Sequence, residues 1–189
     1  MINRSGSVIT DVITLNQKRE KSIVVYTDLS LTARLAVGLR CFADYCVVRE
    51  LTHPEVDALL DDLWELPPAI ASPEGFTSWE NGHPHLINVG LGDPFSDEFQ
   101  YALHNVQITP REFRHIIESL MEIVFSSFYG ASEDQQSIEF LRNVIAAVTD
   151  FDVIPPRPDL FNASLFADNN GWGKPLSSTE RDRWRFAAT

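Results

Sequence analysis

Residues 109–128 read TPREFRHIIESLMEIVFSSF, and this stretch decides the fold. It opens with Thr109 and, three residues later, Glu112, the pattern of a capping box that satisfies free backbone N–H groups at a helix start. Apolar side chains then recur at the spacing of one helix face: Phe113, Ile116, Ile117, Leu120, Met121, Val124, Phe125 and Phe128. The stretch therefore predicts a long amphipathic helix that needs an apolar surface to pack against.

Two other segments begin with the same pattern. Thr52 is followed by Glu55 and Ser132 by Gln135, and each pair precedes apolar residues at helical spacing. A further apolar stripe predicts a helix over residues 31–51. Helices that each bury one face pack on one another, so the sequence predicts a mainly α-helical, single-domain bundle over all 189 residues.

Two parts of the chain leave the choice of element open. Residues 8–15 and 23–26 are rich in β-branched side chains, and they predict either a small N-terminal β hairpin or an extension of the first helix. Residues 93–108 fit a short helix opened by Asp93-Pro94 or an extended strand, and we favour the helix.

Proline and glycine mark the remaining segments. Residues 66–92 and 153–177 contain many of both and predict long loops held down by aromatic side chains. Within the second loop, Asp168-Asn169-Asn170-Gly171 is more typical of a turn than of a calcium site, because a downstream Glu ligand is missing. Residues 181–185 predict either a mixed-charge helix that completes the bundle or a partly ordered tail.

The net charge of −12 is concentrated in the middle of the chain. Residues 1–50 carry 7 basic and 5 acidic side chains, residues 51–152 carry 3 and 18, and residues 153–189 carry 5 and 4. Nonspecific binding of nucleic acids and anionic membranes depends on Lys and Arg, so a body at −15 disfavours both partners. The charge instead predicts a basic protein partner.

The composition of the chain also predicts its cellular compartment. No apolar run approaches the roughly 20 residues that cross a bilayer, and the first residues lack the hydrophobic stretch of a secretion signal. The only cysteines, Cys41 and Cys46, are too far apart on one helix for an unstrained disulfide, and they predict buried, reduced thiols. We therefore expect a cytoplasmic protein.

The sequence lacks the common enzyme signatures. Gly90-Leu91-Gly92-Asp93 has no third glycine for a dinucleotide loop, and neither a phosphate loop nor a Gly-x-Ser-x-Gly elbow occurs, so no cofactor is expected. Two imidazoles and nearby carboxylates form a candidate metal site, with His83, His85, Glu80 and Asp93 as its ligands. A His-Pro-His turn in a loop rich in Pro and Gly is the interpretation that we favour over a metal site.

A cluster of acidic residues follows Thr52. It consists of Glu55, Asp57, Asp61, Asp62 and Glu65, and no Lys or Arg occurs between Arg49 and Arg111. Like charges four residues apart destabilise a helix by a few tenths of a kcal/mol, and Glu118 and Glu122 repeat this pattern. Such repulsion does not help the fold, so the carboxylates either bind a partner or form a solvated, solubilising face.

Aromatic side chains beside acidic groups are typical of tight protein interfaces. Trp79 lies in a loop rich in Gly and Pro next to Glu80, so we expect it to be accessible. The predicted partner-binding residues are Asp57, Asp61, Asp62, Glu65, Trp79, Glu80, Glu118 and Glu122.

The chain also resembles a protein family. Its motifs are Arg40-Cys41-Phe42, Tyr45-Cys46, residues 51–54 and 59–64, and later Tyr129-Gly130-Ala131. This pattern, over residues 31–150, resembles helical immunity proteins of bacterial polymorphic-toxin and contact-dependent inhibition systems. The resemblance implies a small acidic cytosolic protein that binds one cognate toxin, often a basic nuclease, and blocks its active site without chemistry of its own. It assigns no functional residue to this chain.

Two other functions stay open at this point. One is a metal-dependent enzyme that uses His83 and His85. The other is a structural or regulatory helical protein that forms a homodimer through the apolar face of residues 113–128. The sequence does not decide between a monomer and a homodimer.

Overall fold

The helix from Leu31 to Val48 lies at the centre of the molecule, and 13 of its 18 residues are buried. The computed structural model describes residues 25–128, 132 and 134–186. Their α-helices are α1 (Leu31–Val48), α2 (Pro54–Trp64), α3 (Leu66–Ala69), α4 (Pro73–Glu80), α5 (His85–Gly90), α6 (Asp97–Asn105), α7 (Pro110–Phe125), α8 (Asp134–Thr149) and α9 (Ser178–Phe186). Short 3-10 turns lie at Tyr26–Asp28, Pro158–Phe161 and Asn169–Gly171. The described residues contain no β-strand, and the predicted mainly α-helical bundle is confirmed.

Helices α1, α7 and α8 form the core of this bundle. Gly38 on α1 lets α7 approach closely, since a Cβ atom there would lie 2.8 Å from a methyl carbon of Leu120 and 3.0 Å from one of Ile123. The apolar face of residues 113–128 packs into this core, and Phe113, Ile116 and Leu120 are fully buried. The hypothesis of a homodimer through this face is therefore wrong, because the chain's own helices already cover it.

The three expected capping boxes have different outcomes. Thr109 caps α7, and its hydroxyl accepts a hydrogen bond from the N–H of Glu112 at 3.1 Å. Helix α2 is capped by His53 and not by Thr52, because the His53 Nδ1 accepts the Glu55 N–H at 3.2 Å. Ser132 donates its hydroxyl to the carbonyl of Asn170.

The expectation of one long loop over residues 66–92 is wrong. The segment folds into α3, α4 and α5, which are each eight residues or shorter. Prolines stand in the first turn of α3 and α4, where the missing N–H costs nothing, and Ser72 caps α4 by accepting the Gly75 N–H at 3.0 Å. The sequence signals of a loop were therefore helix-start signals of very short helices.

The helix favoured for residues 93–108 is confirmed as α6. Its cap is Ser96 rather than Asp93-Pro94, since the Ser96 hydroxyl accepts the Phe99 N–H at 3.2 Å. Residues 153–177 are irregular, as expected, and the predicted turn at residues 168–171 is confirmed by a 3-10 turn that ends in Gly171 at φ 92°.

The predictions for the two ends of the chain have different outcomes. Residues 8–15 lie outside the described residues, as do 23 and 24, and Tyr26 begins a 3-10 turn instead of a strand. Residues 181–185 lie in α9, which completes the bundle: Trp184 is buried, and its ring meets that of Phe161 edge-on at 5.4 Å.

Both cysteines are buried free thiols, as expected. Burial raises the pKa of Cys41 and of Cys46 to about 12, and the carboxylate of Asp57 adds to the shift of Cys46. None of the described helices combines the length and the apolar character needed to cross a membrane.

Candidate functional site

The predicted partner-binding residues do not form one surface. Asp62, Glu65 and Trp79 line a groove of about 460 Å³ beside α3 and α4. Glu118 and Glu122 line a separate cleft of about 570 Å³ against α8. The structure therefore divides the predicted site, and the two parts have different surroundings.

The first part of the predicted site lies on and beside α2. We define its three exposed carboxylates, Asp57, Asp61 and Glu65, as the α2 face. Its carboxylates are largely neutralised by α9. Arg185 binds Asp61 at 2.5 Å, and Arg181 binds Glu65. The expectation that these acidic residues do nothing for the fold is therefore wrong for Asp61 and Glu65, because they hold α9 in place. Asp57 is exposed and makes no ion pair within the described chain.

Asp62 and Glu55 are partly buried and bind histidines. The Asp62 carboxylate lies 3.2 Å from the Nδ1 of His83, and the Glu55 carboxylate lies 3.0 Å from the Nδ1 of His85. Glu55 also accepts the hydroxyl of Ser96 at 3.1 Å, which links the starts of α2 and α6. These carboxylates thus connect helices, and Asp62 also lines the groove beside α3 and α4.

The two histidines of the candidate metal site therefore bind different carboxylates. Asp93 uses its backbone carbonyl to accept a hydrogen bond from Arg114 at 2.8 Å. Among the described residues, no three His, Cys, Asp or Glu side chains are grouped so that they could hold a metal ion. The ligand set predicted from His83, His85, Glu80 and Asp93 does not come together.

Trp79 is buried, with only 7% of its surface exposed, so the prediction that it is accessible is wrong. Its Nε1 donates to the Asp62 carbonyl at 2.8 Å. Its ring packs among Phe76, Phe125 and Phe128 with centroid distances of 5.8 to 6.2 Å. Trp79 is a core residue that fixes α4 against α2 and α7.

The second part is the α7–α8 cleft. It is lined by Gly90, Leu91, Gly92, His115, Glu118, Ser119, Glu122, Gln136, Phe140 and Asn143. Four of these residues come from α7, and Gln136, Phe140 and Asn143 stand at three- and four-residue spacing on α8, so each helix turns one side to the cleft.

The carboxylates of the α7–α8 cleft have little compensating charge. Glu118 makes a loose ion pair with Arg114 at 3.8 Å, which is too long for a hydrogen bond. Arg114 already donates to the carbonyls of Val89 and Asp93 at 2.7 and 2.8 Å. Glu122 makes no ion pair with any residue that the structure describes. The cleft therefore presents one carboxylate in a loose ion pair with Arg114 and, four residues later, one without an ion pair among the described residues.

Ser119 adds an unused polar group to the cleft. Only 4% of the residue is exposed, and its hydroxyl makes no hydrogen bond to any described part of the chain. The Ser119 hydroxyl itself is not fully buried, so it is open to the solvent of the cleft. The cleft can thus offer a ligand both negative charge and a free hydrogen-bonding group.

The sequence predicted Glu118 and Glu122 as site residues but not the α8 side of the cleft, which Gln136, Phe140 and Asn143 form. The signal was present in α8, because Phe140 lies outside the apolar stripe formed by Ile138, Leu141 and Val144. An aromatic residue off the buried stripe, with polar residues one turn before and after it, is typical of a surface cleft.

The chain was compared with protein-family models, curated proteins and solved structures, and none of them matches it. The resemblance to immunity proteins therefore rests on the sequence motifs alone. The function must be argued from the charge and geometry of the chain.

Proposed function

We propose that this protein is an acidic cytoplasmic inhibitor that binds one basic protein partner stoichiometrically and has no chemistry of its own. In this proposal the partner is a toxin, as the resemblance to immunity proteins implies. A nuclease domain is the favoured class, because surfaces that bind phosphate are rich in Lys and Arg.

The observation that carries the proposal is the pair of carboxylates in the α7–α8 cleft, where Glu118 has only a loose ion pair with Arg114 and Glu122 has none with a described residue. A chain of net charge −12 steers a basic partner from a distance, and Glu118 and Glu122 provide charge that the described cations compensate only weakly, through Arg114 at 3.8 Å from Glu118. By contrast, a metal-dependent enzyme would need His83 and His85 in one ligand set, and each imidazole binds its own carboxylate.

The proposal is tested by coexpression with the products of the flanking genes. We expect one flanking product to stop growth when produced alone, to be neutralised by this chain, and to form a 1:1 complex by light scattering. The association rate should fall about tenfold or more from low to high ionic strength, since steering is screened by salt.

A core variant provides the control. Phe42 is fully buried in α1, so Phe42→Asp prevents folding without greatly altering the net charge, and it should give no protection. If no flanking product is bound and neutralised, or if association is insensitive to salt, the proposal is wrong.

A further inference from the structure

We infer that the α7–α8 cleft receives one arginine side chain of the partner. This inference rests on the proposed function, because the basic partner supplies the arginine. The reasons for a guanidinium group, rather than any positive charge, lie in the donors and acceptors of the cleft.

The cleft has more hydrogen-bond acceptors than the three N–H donors of one ammonium group can use. Glu118 and Glu122 are neighbours on α7, with Cβ atoms roughly 6 Å apart at a spacing of four residues. Gln136 and Asn143 of α8 line the same cleft, and each side-chain amide carries an oxygen acceptor. A guanidinium carries five N–H donors in one plane, whereas an ammonium carries three around a point, so arginine uses this spread of acceptors better.

Phe140 supplies the surface on which a guanidinium stacks. It is half-buried in α8 and lines the cleft beside the polar groups. A guanidinium over an aromatic ring gains about 0.5–2 kcal/mol, depending on how far it is desolvated. Arginine is therefore favoured over lysine by the aromatic wall as well as by the acceptors.

The same molecule already contains an arginine site of this composition. The Arg49 guanidinium lies 4.4 Å from the centroid of the Phe151 ring, donates to Glu112 at 2.5 Å and donates to the Gln107 carbonyl at 2.8 Å. The α7–α8 cleft offers the same three kinds of group, a carboxylate, an aromatic ring and neutral oxygens. It differs in having no arginine among its lining residues, since Arg114 reaches Glu118 only at 3.8 Å and donates to two carbonyls elsewhere.

Ser119 gives a second, independent reason for a ligand. Only 4% of the residue is exposed, its hydroxyl reaches the solvent of the cleft without a hydrogen-bond partner in the described chain, and a guanidinium N–H can donate to it. The volume of about 570 Å³ also lies within the range of pockets that hold small ligands.

The experiment is a titration of the full chain with a short peptide, acetyl-Gly-Arg-Gly-amide, followed by NMR chemical shifts. Two matched peptides carry lysine or the neutral isostere citrulline in place of arginine. We expect shifts at residues of the cleft with the arginine peptide, affinity several-fold lower with lysine, and no binding with citrulline.

Matched variants locate the binding. Glu118→Gln/Glu122→Gln removes the cleft carboxylates, and Glu139→Gln/Asp150→Asn removes the same charge from exposed positions outside it. The first variant should weaken arginine binding about tenfold or more, and the second should change it less than twofold. Circular dichroism verifies that both variants remain folded.

Several outcomes would overturn the inference: no shift at millimolar arginine peptide, equal weakening by both variants, or equal affinity for arginine and lysine. The peptide assay does not use the partner, so its result is independent of the coexpression test. If a flanking toxin binds Glu118→Gln/Glu122→Gln as tightly as the natural chain, this inference fails while the proposed function stands.

Discussion

The α2 face and the α7–α8 cleft have the same sequence pattern and opposite surroundings. Asp61 and Glu65 stand four residues apart, as do Glu118 and Glu122. The first pair is bound by Arg185 and Arg181 of α9, whereas no described cation lies within hydrogen-bond distance of the second.

This difference distinguishes carboxylates that stabilise the fold from carboxylates that a partner can bind. The arginines of α9 follow Glu65 and Asp61 by 116 and 124 positions, so nothing local in the sequence distinguishes the two acidic pairs. A pair of like charges on a helix is therefore a candidate binding site only when the fold brings no cation to it.

The largest expected effect tests whether α9 is an integral part of the α2 face. Trp184 is the buried residue of α9, so Trp184→Ala should detach the helix and lower the free energy of unfolding by about 4 kcal/mol. Urea denaturation measures the loss. Phe186 is 72% exposed, so Phe186→Ala is the control and should change stability by less than about 0.5 kcal/mol. Equal effects of the two variants would mean that α9 is not anchored by Trp184.

The second effect comes from the buried thiols, one of which lies near the α2 face. Burial raises the pKa of Cys41 and Cys46 to about 12, and Asp57 contributes to the shift of Cys46. Below about pH 8 the thiols are protonated in both states, because an unfolded thiol has a pKa of about 8.5. Above that pH the unfolded chain loses these protons and the folded chain keeps them, so stability falls as pH rises.

We therefore expect the free energy of unfolding to fall by about 3 kcal/mol between pH 8 and pH 10, as measured by urea denaturation in buffers of constant ionic strength. Cys46→Ala should remove roughly half of this slope, since one of the two thiols is gone. A slope that does not change in this variant would contradict the assignment to the thiols.

The sequence predicted what is local. The helices α1, α6 and α7 follow from apolar spacing, and Thr109 caps α7 as expected, because these signals act over three or four residues. The short helices α3 to α5 were missed, since four to eight residues cannot show a clear period.

The site was predicted only in part, for a physical reason. Glu118 and Glu122 are visible in the sequence as a like-charged pair, but the wall formed by Gln136 and Phe140 depends on how α8 packs. Trp79 was misplaced because its neighbours in sequence are polar, while its burial comes from Phe125 and other rings brought by α7. Composition cannot show such contacts.

The third effect has opposite signs in the two regions. Asp61→Asn/Glu65→Gln breaks two partly exposed ion pairs and should lower the free energy of unfolding by about 1 kcal/mol. Glu118→Gln/Glu122→Gln removes a repulsion that outweighs the loose, partly exposed ion pair of Glu118 with Arg114, and it should raise the free energy of unfolding by a few tenths of a kcal/mol. Both variants change the charge by the same amount, so each is the control for the other in urea denaturation. The same sign in both would erase the distinction between the regions.

The smallest effect converts the cleft into a copy of the α2 face. Gln136 is exposed and lines the α7–α8 cleft, so Gln136→Arg places a cation of the chain itself opposite Glu118 and Glu122. Gln135→Arg puts the same charge one residue earlier in the first turn of α8 and outside the cleft, where the effect on the helix dipole is similar. Gln136→Arg should therefore be more stable than Gln135→Arg by about 0.5 kcal/mol.

The difference in stability between Gln136→Arg and Gln135→Arg should vanish when Glu118→Gln/Glu122→Gln is also present, and this comparison is a double-mutant cycle. The difference should also become smaller in high salt. Because the new arginine occupies the acceptors, Gln136→Arg should also abolish binding of the arginine peptide while Gln135→Arg retains it. If Gln136→Arg gains the stability and still binds the peptide, the peptide binds outside the cleft. Neutralisation of the carboxylates by an arginine of the chain itself is then not what distinguishes the α2 face from the cleft.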